Sequence, residues 1–183
     1  MFGHTNEPIT LQRDVKAVII PAGEELRLKE GTTGFITQAL GGSFTVYIEG
    51  NLFRVAGIDA DALGKEPTPA PEVPENPTDA DIEAVIWQQL KTCYDPEIPV
   101  NIVDLGLVYR CEIHALGNGQ RSVNVDMTLT APGCGMGEIL VADAQEKIAI
   151  IPTVADVRVE LVFDPPWNQT MMSDEARLQT GLM

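Results

Sequence analysis

The feature that most constrains this chain is a proline-rich segment near its middle. Residues 66–77 read EPTPAPEVPENP, in which five prolines alternate with acidic and small residues and no apolar periodicity survives. Such a segment favours extended polyproline II conformations and acts as a semi-rigid spacer. The 183-residue chain is therefore predicted to form one domain over residues 1–65, a linker over 66–77 and a second domain over 78–183.

The first domain has the pattern of short strands separated by glycine-containing turns. Phe44, Val46 and Ile48 alternate with polar residues, which is typical of a sheet buried on one side. We predict a small SH3-like β-barrel with a docking or stabilising role, because no catalytic constellation is visible. The predicted strands are Val15–Ile20, Glu25–Leu28, Thr33–Leu40, Ser43–Glu49 and Leu52–Ile58.

The second domain alternates helical and strand patterns. Thr78 is a suitable N-cap for a first helix, followed by acidic residues that favour the positive end of the helix dipole. The order helix, strand, strand, helix, strand predicts a two-layer α+β sandwich, with both helices on one face of a mainly antiparallel sheet. The later elements are predicted at Leu107–Leu116, Arg121–Thr130, Glu138–Ile150 and Asp156–Phe163, with a short helix from Ser173.

Charge and hydropathy exclude several classes of partner. The formal net charge is -15, of which -13 falls on residues 66–183, and only 12 Lys and Arg are present. Binding to nucleic acids or anionic membranes needs basic residues to neutralise phosphate, so neither partner is expected. The chain start lacks the pattern of a signal peptide, and no apolar run approaches a membrane span. We expect a cytoplasmic protein with free thiols.

Three cysteines are present, without the C-x-x-C spacing of a zinc ribbon. Cys93 falls on the apolar face of the first helix and Cys111 on the inward face of a strand, so both are interpreted as core residues. Cys134 instead lies in TAPGCGMG, residues 130–137, just before a predicted helix. A helix N-terminus lowers a thiol pKa and favours the thiolate that binds metal. The alternative is a loop cysteine tolerated among glycines.

A long connection, Tyr94–Gly106, also departs from ordinary packing, because it exceeds the usual length of a helix-to-strand loop. It carries Asp95, Glu97 and Asp104. These acids could serve a functional loop, or Asp95 and Asp104 could simply fix turns through bonds to backbone amides.

Three segments resemble the family shared by SufT and PaaD-like proteins. They are DPEIPVNIVDLGLVY at Asp95–Tyr109, TAPGC at Thr130–Cys134 and DPPW at Asp164–Trp167, and together they span the second domain. The resemblance, to the long SufT type in particular, implies a role in iron–sulfur cluster assembly and client maturation. It places the family's cysteine on Cys134 and its acidic loop on Asp95, Glu97 and Asp104, with Thr130 as a further possible functional residue.

The resemblance also implies the compact fold of the C-terminal domains of NifU-like scaffolds. Those domains hold a cluster with a C-x-x-C pair, whereas Cys134 is followed by Gly135, Met136 and Gly137. A cluster normally takes four thiolate ligands. Two subunits of a homodimer could each offer Cys134, the cysteine could take part in transient handover of an iron–sulfur cluster, or it could touch a client without holding metal. Transfer or adaptor work is favoured over storage.

Two other classes of function are open at this stage. PaaD-like proteins resemble accessory parts of aromatic-ring oxygenation systems, which would make the chain a non-metal assembly subunit. A cysteine-dependent enzyme would need a base, but only His4 and His114 are present and nothing places either near Cys134. We predict a non-enzyme whose partners are the iron–sulfur assembly machinery and apo client proteins.

Overall fold

The structure, a computed structural model, describes residues 4–20, 22–40, 42–95, 98, 100–131 and 137–181. The chain separates into two compact units, Met1–Pro69 and Ala70–Met183, and the division falls inside the predicted linker. Each unit has its own cluster of buried apolar residues. In the described part of the chain, no helix has both the length and the apolar character needed to cross a membrane.

The first unit is a six-stranded antiparallel sheet followed by a 3₁₀ turn at Gly57–Leu63. The strands are β1 His4–Thr10, β2 Val15–Ile20, β3 Glu25–Leu28, β4 Thr33–Leu40, β5 Ser43–Ile48 and β6 Asn51–Val55. Their order in the sheet is β1-β4-β5-β6-β2-β3. Strand β1 was not predicted from the sequence, because it is polar and contains Pro8.

This sheet is buried on one side, as the alternation in β5 predicted. Val46 lies opposite both Ile36 and Phe53, and all three side chains belong to the core. The neighbouring row points outward: Tyr47 lies opposite Phe35 and Leu52, and these residues are 43%, 46% and 36% exposed.

The SH3-like barrel is not confirmed for this unit. Closure of a barrel requires the two terminal strands of the sheet to hydrogen-bond to each other. In the described residues β1 pairs with β4 and β3 pairs with β2, and no pairing joins β1 to β3. The observed sheet is therefore open in its hydrogen bonding.

The second unit has the predicted order α-β-β-α-β and ends in a third helix, so its class is α+β as expected. A 3₁₀ turn at Gln169–Met171 precedes that helix. The elements are α1 Asp79–Leu90, β7 Val108–Gly117, β8 Gln120–Met127, α2 Gly137–Ala149, β9 Val154–Leu161 and α3 Asp174–Thr180.

The prediction of a mainly antiparallel sheet is wrong for this unit. The order is β7-β8-β9, with β7 antiparallel and β9 parallel to the central β8. A hairpin through Asn118 joins β7 to β8, whereas α2 carries the chain from the end of β8 back to the start of β9. Such a helical crossover makes the second pair parallel.

The two faces of β8 differ in polarity. Val123, Val125 and Met127 are at most 1% exposed and pack with apolar residues of α1 and α2 in one core. Alternate residues such as Asn124 and Asp126 lie on the opposite, partly solvated face. A register shift between Val108 and Arg110 places Val108 opposite Met127 and Cys111 opposite Val125, so Tyr109 is the extra residue at an irregularity of β7.

Helix α1 begins with the cap that the sequence predicted. The Thr78 hydroxyl accepts from the backbone N–H of Asp81 at 3.2 Å, and the Asp81 carboxylate accepts from the Thr78 N–H at 2.9 Å. This reciprocal capping box satisfies amides that a helix end otherwise leaves unpaired. The apolar residues Ile82, Ile86 and Leu90 of helix α1 are fully buried.

We expect Thr78→Ala to lower the free energy of unfolding by about 1 kcal/mol, the usual value of an N-cap side chain. Thr78→Ser is the control, because it keeps the accepting hydroxyl. Urea unfolding followed by far-UV circular dichroism measures both variants. Equal stability of the alanine and native proteins would contradict a stabilising cap.

Candidate functional site

Three loops leave the second unit's sheet at one edge, where β7 begins and β8 and β9 end. The Thr128 N–H donates to the Leu107 carbonyl at 2.7 Å, and the Val162 N–H donates to the Met127 carbonyl at 2.8 Å. At this edge β7 therefore begins while β8 and β9 end. The acidic loop before β7, the cysteine loop after β8 and the DPPW segment after β9 consequently leave the sheet from the same edge, which we call the loop edge.

The C-terminal segment holds the acidic loop in place. The Trp167 indole N–H donates to the Leu105 carbonyl at 2.6 Å, and the Ser173 N–H donates to the Asp104 carbonyl at 2.8 Å. Trp167 also packs against the apolar core. The DPPW segment thus anchors the chain end onto the loop that carries the acids.

A glycine in the acidic loop allows the C-terminal segment to approach closely. Gly106 has φ +76°, and a Cβ there would clash with the Met171 carbonyl oxygen and lie 2.8 Å from the Met171 Cβ. The Tyr109 hydroxyl donates to the Pro165 carbonyl at 2.8 Å and lies 3.5 Å from the Met171 sulfur. The sequence offered no signal for Met171, because its neighbours come from distant parts of the chain.

Two of the predicted acidic residues fix turns. Asp95 is buried, and its carboxylate accepts from the Ile98 N–H at 3.0 Å. The Asp104 carboxylate accepts from the Asn101 side-chain amide at 2.6 Å, while the Asn101 side-chain carbonyl accepts from the Asp104 N–H at 2.9 Å. The Asp95 bond is of the kind that the structural alternative predicts, a carboxylate that accepts from a backbone amide, whereas the Asp104 carboxylate bonds to a side-chain amide. Glu97 lies outside the described residues.

The cysteine loop is defined by its two ends. Cys134 itself lies outside the described residues, while Thr130 is half-buried just after β8 and α2 begins at Gly137. Gly137 is buried, and a Cβ there would lie 2.8 Å from a methyl group of Leu129 and 3.1 Å from one of Leu161. The start of α2 is thereby packed against the ends of β8 and β9.

The other two cysteines are placed as the sequence predicted. Cys93 is fully buried in the core, with its sulfur 3.8 Å from the Gln89 carbonyl oxygen. Cys111 is half-buried on the inward face of β7. Burial, with a smaller contribution from the negative charge of Glu83, raises the pKa of the Cys111 thiol to about 11. Cys111 is therefore a neutral thiol at physiological pH.

The described residues contain no group of three or more His, Cys, Asp and Glu side chains placed to bind a metal ion. His114 is far from the loop edge: it lies opposite Ser122 on the polar face, about 20 Å along β7 from Val108 at ~3.3 Å per residue. His114 therefore lies at the opposite end of β7 from the acidic loop.

Comparisons with known proteins find relatives of the second unit. The fold and its loop edge define a small α+β domain, and a family model described as "Iron-sulfur cluster assembly protein" matches residues 83–161. An "Fe-S protein maturation auxiliary factor" from Porphyromonas gingivalis is 44% identical over 101 residues, which cover 55% of this chain and 92% of the relative. The factor SufT of Staphylococcus aureus is 40% identical over 88 residues, covering 48% and 96%.

A solved structure of a domain of unknown function from Bacillus anthracis is also similar to the chain. It is 33% identical, covers 56% of this chain and 93% of its own, and superposes with a TM-score of 0.48.

The chain belongs to the family of Fe-S protein maturation auxiliary factors. The resemblance found in the three sequence motifs is therefore confirmed. The family model lies wholly within the second unit and spans the acidic loop, the cysteine loop and β9, whereas the DPPW segment follows the matched residues and the first unit precedes them.

We expect Gly106→Ala to destabilise the second unit by about 2–4 kcal/mol, since the methyl group meets Met171 and the backbone is strained at positive φ. Gly119→Ala is the matched control: its φ is +74° but no atom lies within 4 Å of the added Cβ. Urea unfolding followed by Trp fluorescence measures both. Equal losses would show that the contact with Met171 contributes nothing.

The raised pKa of Cys111 predicts slow alkylation. A thiol pKa of about 11 in place of 9.0 leaves roughly a hundredfold less thiolate at pH 8. Because the folded-state pKa is raised, iodoacetamide should react with Cys111 faster as the pH rises towards 11, and at the ordinary rate in urea. Peptide mass spectrometry measures the rate, and equal rates in folded and unfolded protein would contradict the prediction.

Proposed function

We propose that this chain acts in the cytoplasm as a non-enzymatic factor that helps to deliver iron–sulfur clusters from the assembly machinery to apo client proteins. The cluster is cargo, and Cys134 is the residue that contacts it during handover. The observation that supports this proposal is that the acidic loop, the cysteine loop and the DPPW segment leave the second unit's sheet at the same loop edge.

The chemistry of the loop edge supports brief binding over storage. Cys134 precedes a 13-residue helix whose start is fixed by Gly137, and a thiol in such a position gains thiolate character. A single thiolate supplies one of the four ligands that a cluster normally takes. The remaining ligands would come from the donor and the client, so the cluster would pass on.

The acids at this edge are proposed to shape the surface that a client meets. Asp95 and Asp104 already use carboxylate oxygens in bonds to Ile98 and Asn101 of the same loop. Because these carboxylate oxygens are already engaged, they favour an alternative function as an adaptor, in which Cys134 touches the client without holding metal.

We also propose that the first unit is SH3-like and that it docks or stabilises partners. The outward row of Phe35, Tyr47 and Leu52 supports such a role, because large exposed apolar side chains in one row are typical of contact surfaces. We likewise propose that the second unit has the fold of the C-terminal domains of NifU-like scaffolds. The observed α-β-β-α-β order supports this proposal.

The test is cluster delivery by the full chain. After anaerobic reconstitution with iron and sulfide, visible absorption and bound iron are recorded, and the recovery of activity by an apo iron–sulfur enzyme is followed. We expect Cys134→Ser to slow delivery at least about tenfold, the effect of losing a ligand worth over ~1.4 kcal/mol. Cys111→Ser is the control, because that thiol is neutral and half-buried.

Two outcomes would change the proposal. If Cys134→Ser delivers clusters as fast as the native chain, Cys134 has no role in transfer. If neither protein binds a cluster, but the native chain binds a client and Cys134→Ser does not, the adaptor function replaces the carrier function.

A further inference from the structure

The outer edge of β9 is unpaired in the part of the chain that the structure describes. β9 hydrogen-bonds to β8 on one side, and no described backbone group bonds its other side. Val162 donates its N–H to Met127 of β8. Because backbone groups alternate along a strand, those of Val157, Val159 and Leu161 point away from β8. An edge of this length is a template for another strand.

The charges on β9 alternate in sign and have no partner among the described residues. Asp156, Arg158 and Glu160 lie on the polar face of the sheet and are exposed, with no ion pair or hydrogen bond from their side chains. The other edge strand differs. On β7, Glu112 contacts both Arg110 and His114, so the charges there are paired within the strand.

The opposite face of β9 is apolar and incompletely covered. Val159 is buried, whereas Val157 and Leu161 are half-buried at the border of the core. An additional strand along this edge would extend the apolar layer on one face while its charges met those of β9 on the other.

We propose that β9 pairs with β9 of a second copy of this chain, antiparallel and centred on Val159. Residues directly opposite each other in a sheet share a face. This register places Arg158 opposite Glu160 of the second copy, twice by symmetry, and Val157 opposite its Leu161. The outward backbone groups of Val157, Val159 and Leu161 then meet their counterparts, which extends the three-stranded sheets into one of six strands.

Other registers fit less well. A shift that puts one residue of β9 opposite its sequence neighbour would bring the apolar face against the polar face. Centring on Arg158 puts Arg158 against itself and Asp156 against Glu160, which are like charges. Centring on Val157 pairs Asp156 with Arg158 but sets Ala155 against Val159, so less apolar surface is covered.

This dimer is independent of Cys134. In the antiparallel register the two loop edges lie at opposite ends of the strand pair, with the Leu161 residues about 13 Å apart along the strands at ~3.3 Å per residue. Each copy would keep its own loop edge accessible. Cys134→Ser should leave dimerisation unchanged, so that failure of cluster delivery and failure of the dimer are separate results.

The test is sedimentation equilibrium of the full chain over roughly 10–1,000 µM, a range suited to a small interface. We expect the native chain to dimerise and Arg158→Glu to weaken association about tenfold or more, because two attractive pairs become repulsive. The double variant Arg158→Glu/Glu160→Arg restores opposite charges in the Val159-centred register and should recover dimerisation. Arg27→Glu, at an exposed position of β3, is the control for the change in net charge.

Hydrogen exchange gives a second readout. The amides of Val157, Val159 and Leu161 should exchange more slowly at high protein concentration, while circular dichroism checks that every variant is folded. A native chain that stays monomeric, or a dimer insensitive to Arg158→Glu, would overturn the proposal. Failure of the double variant to recover dimerisation would overturn the Val159-centred pairing.

Discussion

The backbone pairing at the end of β8 is the constraint on which the loop edge depends. Bonds from Thr128 to Leu107 and from Val162 to Met127 align the start of β7 with the ends of β8 and β9. Because β8 is central, both bonds are made by one strand, and three loops distant in sequence leave the sheet together. The close packing of Gly137 against Leu129 and Leu161 adds the start of α2 to the same place.

The acidic loop and the C-terminal segment stabilise each other. Trp167 bonds to the Leu105 carbonyl, and Gly106 admits the backbone of Met171 where any side chain would clash. The described part of the loop is held by these contacts, and the Asp95 and Asp104 carboxylates bond to Ile98 and Asn101 within the same loop. Two acids predicted as part of a functional loop therefore also have a structural role.

Prediction from sequence succeeded where local chemistry decides the structure and failed where distant pairing does. The cap at Thr78 and the burial of Ile82 and Ile86 follow from short-range patterns, and both are observed. The parallel pairing of β9 depends on where α2 returns the chain, which no local pattern encodes. The polar strand β1 was missed because its pairing with β4, not its composition, makes it a strand.

The sequence by itself determined the α-β-β-α-β order and, through three motifs, the family. It also predicted a linker at the proline-rich segment and a separate role for Cys134, because a cysteine among glycines before a helix differs from one on an apolar face. Only the tertiary structure decided that the three loops leave the sheet at one edge, that Trp167 and Met171 contact the acidic loop, and that one side of β9 is unpaired among the described residues. These features depend on hydrogen bonds and close contacts between residues far apart in the chain, which spacing along the sequence does not specify.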